Sequence, residues 1–170
     1  MLLAFIGGTV CTIGDHLHAT MGVLYYRRPV VWSQAWWVWP LFAGATVVAV
    51  FGAGVTRRVF GAAPLDKRAR EILGDVIAFT TAYAYTSFGW QRPTVVLVVL
   101  LAFWAARAVT LPGWVAAYSV VAVIGGCAFE ATLSSTGAFS YHHPDWGGIP
   151  RWLPGIYAFV GIVAARLEAT

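Results

Sequence analysis

The stretch Trp114-Val115-Ala116-Ala117-Tyr118-Ser119-Val120-Val121-Ala122-Val123-Ile124-Gly125-Gly126-Cys127-Ala128-Phe129 carries no charge before Glu130. Coiled at ~1.5 Å per residue, such a run and its flanks cover the ~30 Å of a bilayer's hydrocarbon. Backbone groups in lipid must be satisfied within helices or closed barrels. The run lacks the polar/apolar alternation of a barrel strand, so a membrane helix over 114–139 is predicted.

Outward from it, comparable runs predict helices over 2–24, 32–55, 71–88, 93–109 and 151–167. The expected fold is all-α, one polytopic six-transmembrane-helix bundle over residues 1–170. The N-terminal run lacks a basic leader and a cleavage pattern, so it reads as a first membrane helix rather than a signal peptide. Connectors are short, and only 56–70 reads as a true loop. No internal repeat is expected.

Composition agrees. Hydrophobic residues make up 59% and charged residues 11% of the chain, against about 25% charged in soluble domains. Nine Trp and seven Tyr suit a chain that meets two water–lipid interfaces. The net charge of +4 does not imply nucleic acid, because the basic residues sit between apolar runs where topology signals sit. Arg57, Arg58, Lys67, Arg68, Arg70, Arg107 and Arg166 fall on one side; Arg27, Arg28, Arg92 and Arg151 fall on the other. The positive-inside rule then places both termini in the cytoplasm. Cys11 and Cys127 lie in apolar runs and read as small buried hydrophobes, not as a disulfide or metal pair.

Two prolines bear on shape. Pro40, placed inside the second predicted helix, is expected to kink it and open space beside it. Pro154 falls in the first turn of the sixth, where proline is tolerated.

Ionisable groups within membrane spans are costly and mark functional sites. Asp15, His16 and His18 form one set and Glu130 another. At ~1.5 Å per residue both sets lie at comparable depth, ~20–24 Å from the cytoplasmic end, so an Asp15/His16/Glu130 network is geometrically open. Simple contact with the outer headgroups is the alternative for each. His16 and His18 project about 200° apart and suit no single metal ion. His142-His143-Pro144-Asp145 lies in an aqueous loop without a companion ligand motif. No HExxH, GxSxG, Walker or GxGxxG pattern occurs. Neither a catalytic nor a metal site is therefore expected, and no cofactor. Ser134, Ser135 and Thr136 read as packing hydroxyls. The third helix, with Thr80, Thr81, Tyr83, Tyr85, Thr86 and Ser87, is the least apolar, so it does not face lipid all round. The fourth, apolar on every face over 95–101, meets lipid or a protein partner.

Two stretches go further. Ser33-Gln34-Ala35-Trp36-Trp37-Val38-Trp39-Pro40 opens the second helix. Gly137-Ala138-Phe139-Ser140-Tyr141-His142-His143-Pro144-Asp145 leads through Arg151-Trp152-Leu153-Pro154 into the sixth. Together they resemble the Insig family of membrane proteins, whose eukaryotic members sense sterols. That family shows an S-x-A-W-W-V-x-P opening, a G-x-Y/F-x-Y-x-x-P-D turn and an R-x-W-L-P start at these places, and Gln91 and Trp104 also fall where it has Gln and Trp. The resemblance covers nearly the whole chain. It implies a six-helix bundle around a central lipid cavity, cytoplasmic termini, no catalysis, and Trp36, Phe79, Gln91 and Trp104 at the cavity wall or mouth. His16 and Glu130 would supply its polar end. The acidic residue that eukaryotic members carry at the end of the fourth helix is absent, since that place reads Arg107-Ala108-Val109, and so are their polar tails.

The expectation is a compact bacterial homologue in the cell membrane that binds a sterol-like or diacylglycerol-like amphiphile. It is expected to self-associate, with any further membrane partner unspecified. The rival readings are a small transporter or channel relaying ions through Asp15, His16 and Glu130, a lipid-active enzyme using His142/His143 or His16/His18, and a scaffold.

Overall fold

A computed structural model describes residues 1–66 and 68–168; Lys67, one of the basic residues in the topology count, lies outside the described residues, as do the last two positions. Among the described residues six helices form: α1 (Leu2–Thr20), α2 (Val38–Val59), α3 (Ala69–Gly89), α4 (Pro93–Ala108), α5 (Gly113–Ser135) and α6 (Leu153–Glu168). Two short strands join them, β1 (Leu24–Tyr26) after α1 and β2 (Phe139–Tyr141) after α5.

The strands correct the expectation of helix to residue 24 and residue 139. Hydropathy runs on through Val23 and Leu24, but Gly22 has φ +72° and ends α1. The Val23 N–H bonds back to the His18 carbonyl at 2.9 Å and the Gly22 N–H to that of Ala19, closing a Schellman turn. Gly137, φ +73°, ends α5 with the same backbone turn; its N–H donates to the Ser134 carbonyl, and the Ala138 N–H donates to Thr136 Oγ1 at 3.3 Å. The freed segments pair antiparallel, Leu24 with Tyr141 and Tyr26 with Phe139. Leu24, Tyr26, Phe139 and Tyr141 turn inward and are buried, while Tyr25 faces out.

Pro40 is also corrected. α2 starts at Val38 rather than residue 32, because Trp32 and Ser33 adopt positive φ in the turn before it. Proline is then the third helical residue, where a missing N–H removes no intrahelical bond, so no mid-helix kink is needed. Pro154 is the second residue of α6, as expected. The 56–70 loop is shorter than expected, since α2 continues to Val59 and α3 begins at Ala69.

α6 is the hub. It touches α2, α3, α4 and α5, and ten of its sixteen residues are buried. Small residues permit this: a Cβ on Gly161 would lie 2.5 Å from the Ser119 Cα, so α5 and α6 meet backbone to backbone there. Close approach through small residues is how helices gain contact where lipid supplies no hydrophobic drive.

The outside is the reverse of a soluble protein. α2 and α5 are long and apolar enough to cross a membrane, yet only 22% and 17% of their apolar windows are buried. Val47, Val48 and Phe51 of α2 and Val120, Val121 and Ile124 of α5 are exposed. Contiguous apolar surface on this scale is unsupportable in water.

Candidate functional site

Buried polar chemistry gathers at the two ends of the bundle. At the strand end, Asp15 on α1 is 4% exposed. Its Oδ2 accepts the Tyr26 hydroxyl and the Gln34 amide, each at 2.6 Å. Gln34 Nε2 also donates to the Thr12 carbonyl at 3.0 Å. Glu130, half-buried on α5, accepts the Tyr141 hydroxyl on one oxygen and the Tyr157 hydroxyl on the other, both at 3.1 Å. Burial pushes both strand phenols, Tyr26 and Tyr141, above the usual tyrosine range, and the carboxylate beside each adds to it. They therefore stay protonated and act as donors.

The two histidines separate as the helical spacing predicts. His16 Nδ1 lies 2.7 Å from the Trp32 carbonyl, an acceptor only, so Nδ1 carries a hydrogen. His18 points the other way and is buried. Its ring stacks on Tyr83 at 4.5 Å, and its Nε2 is 2.8 Å from Thr86 Oγ1. Thr86 already donates to the Tyr83 carbonyl at 2.7 Å, so His18 Nε2 is the donor in this pair.

At the other end, Asp75 of α3 lies between two arginines. Arg107 Nε from α4 is 2.7 Å from one carboxylate oxygen, and Arg166 Nε from α6 is 2.9 Å from the other. Arg107 also reaches Glu71 at 3.0 Å. Arg57 and Glu168 pair alongside at 2.9 Å. A hollow of about 330 Å³ opens beside this cluster, between Leu65, Arg68 and Leu111. Acid is thus present at the end of α4, supplied in space by α3.

The residues expected to line a central cavity are not brought to one place. Trp36 is 72% exposed. Phe79 is buried against Tyr83, ring centroids 5.7 Å apart. Trp104, half-buried, donates its indole N–H to Ser119 Oγ at 3.3 Å, between α4 and α5. Gln91 is exposed and borders a hollow of about 410 Å³ at the strand end, with Trp90, His142, His143 and Asp145. Asp15, His16 and Glu130 share an end of the bundle, but each has its own partners. Among the described residues no hydrogen bond links the three.

Sequence reading missed Tyr26, Gln34, Tyr141 and Tyr157 as holders of the acids, Asp75 altogether, and Arg166 as its partner, having counted that arginine for topology alone. Asp75 and Arg166 had a signal: each is an ionisable residue within a predicted span, the feature that drew attention to Asp15 and Glu130. The phenols and the amide had none, because polar aromatics near a membrane boundary are ordinary.

No family profile and no curated protein matches the chain. Two solved structures do. The crystal structure of MvINS, an Insig homolog from Mycobacterium vanbaalenii, superposes with a TM-score of 0.87 at 31% identity, covering 99% of this chain and 90% of that one. A crystal structure of a cross-linked trimer of a cysteine variant of MvINS gives 0.86 at 30% identity, with the same coverage.

Proposed function

This chain belongs to the Insig family, and from that premise we propose that it is a non-enzymatic, six-span membrane protein that holds an amphiphilic lipid between its helices. Both termini lie on the cytoplasmic side of the cell membrane. The basic end of the bundle, with Arg57, Arg58, Arg68, Arg70, Arg107 and Arg166, is the inner one. The lipid is sterol-like or a diacylglycerol-like glyceride.

One observation carries the reading: at the strand end of an apolar bundle stand Asp15 and Glu130, fixed by their phenols, whereas the polar groups of the opposite end are closed into ion pairs. A ligand site pairs apolar walls with a few placed polar groups, and a lipid with a small hydroxylated head has the matching shape. A lipid arriving from the bilayer gains little from burial itself, so head contacts and shape set its selection. Relay of ions by Asp15, His16 and Glu130 is disfavoured, because the three hold separate bonds. The trimer captured for the MvINS variant supports self-association here as well.

The test is mass spectrometry of lipids co-purified with detergent-solubilised protein, wild type against Trp104→Ala and Glu130→Gln. One lipid class enriched near one per chain and depleted in the variants is the expected result. A profile identical to the bulk membrane in all three would overturn the reading.

A further inference from the structure

The two segments that follow α1 and α5 have one conformation. Gly22-Val-Leu-Tyr-Tyr26-Arg-Arg-Pro29 matches Gly137-Ala-Phe-Ser-Tyr141-His-His-Pro144, and Trp37 matches Trp152, at one constant offset of 115 positions. The glycines have φ +72° and +73°, and the tight turns beyond them place positive φ at 32 and 33 and again at 147 and 148. The backbone hydrogen bonds of these tight turns correspond. Val30 N–H and Val31 N–H donate to the Gln34 carbonyl, as Asp145 N–H and Trp146 N–H donate to that of Ile149. The same offset relates Asp15 to Glu130, and each accepts a hydroxyl from its own strand, Tyr26 in one case and Tyr141 in the other. An internal repeat, which the sequence was not expected to hold, is therefore present.

The strand pairing has the symmetry of that repeat. Leu24 pairs with Tyr141, Tyr25 with Ser140 and Tyr26 with Phe139. Exchanging the two copies leaves this register unchanged, with Tyr25 and Ser140 on the axis, as in an isologous interface. Both copies run in the same direction along the bundle, so they are parallel repeats about an axis along the helices, an arrangement known among transporters. The helices break the symmetry. α2 touches α5, but the equivalent pair, α6 and α1, does not touch, and α3 packs between them. α1 is thus held by α2, by α3, by the strap that leads from it and, at His18, by the Trp152 ring of the second strap, centroids 5.5 Å apart.

We propose that α1–β1–α2 and α5–β2–α6 are two copies of one helix–strap–helix unit, and that their paired straps form a clasp. Its two equivalent latches, Tyr26 on Asp15 and Tyr141 on Glu130, fix the distance of α1 from the second unit at the strand end. The inference does not depend on what the bundle binds.

Tyr26→Phe and Tyr141→Phe remove one hydroxyl each and keep the ring. In a full-length chain with Cys11 and Cys127 replaced by alanine, spin labels at Ile13 and Phe129 report the α1–α5 distance. Both positions are exposed. A second labelled pair, Leu2 and Val120, reports the opposite end. Each variant is expected to lengthen and broaden the first distance, the double variant to do so more, and the second distance to hold. An unchanged first distance in both single variants overturns the proposal, and so does an equal change at both ends, which would mean general loosening. The copy relationship has its own arm. The sequence of residues 21–37 is transplanted in place of residues 136–152, with cysteines at the axis positions 25 and 140. Oxidative cross-linking at the untransplanted level is expected; loss of the cross-link would show that the straps are not equivalent.

Discussion

Asp75 and Arg166 form an ion pair at 2.9 Å in which the two side chains are 1% and 4% exposed. Breaking such a pair from one side strands a charge, and that costs about 3–5 kcal/mol. Asp75→Asn is therefore expected to destabilise the protein strongly, since Arg166 loses its closest anion while Glu71 stands 3.8 Å away. Adding Arg166→Met should recover much of the loss. Thermal unfolding in detergent checks both, and a double variant no more stable than Asp75→Asn alone would contradict the assignment.

Gly161 and Gly125 give opposite expectations from the same substitution. A Cβ on Gly161 meets the Ser119 backbone at 2.5 Å, so Gly161→Ala forces α5 and α6 apart at about 1–3 kcal/mol. Nothing lies within 4 Å of a Cβ on Gly125, and alanine there gains helix propensity worth up to about 1 kcal/mol. Unfolding temperatures of the two variants should move in opposite directions.

Pro40→Ala is expected to change stability by less than about 0.5 kcal/mol, because the third helical N–H has no intrahelical partner to regain. A large change would mean that the proline shapes the helix after all. Unfolding of this variant beside Pro154→Ala, also in a first turn, makes the comparison direct.

The sequence showed helices and hid joints, for physical reasons that particular residues make plain. Hydropathy is an average over many residues, so six apolar runs were visible, and the starts of α3, α4 and α5 fell within about two residues of expectation. The overruns came where one glycine, Gly22 or Gly137, ends a helix within an apolar run. Polar partners were harder. Asp15 and Glu130 stood out because charge in a span is rare, but their holders depend on a strap returning to the helix before it. Gln34 is nineteen residues from Asp15, and only the turn at Trp32 and Ser33 brings it back.

Gln34 gives the last prediction. Its amide nitrogen bonds both Asp15 Oδ2 at 2.6 Å and the Thr12 carbonyl at 3.0 Å, so one side chain ties the strap to two turns of α1. Gln34→Leu keeps the bulk and removes the donor, leaving Asp15 with Tyr26. Loss of a donor to a buried charged group costs about 1–3 kcal/mol. In an Asp15→Asn background no buried carboxylate is left to need that donor, so the same change should cost measurably less. Neighbours sharing a network couple by about 0.5–3 kcal/mol, and the four-protein cycle of unfolding free energies measures that coupling. Strict additivity would mean that Gln34 acts through the Thr12 carbonyl alone.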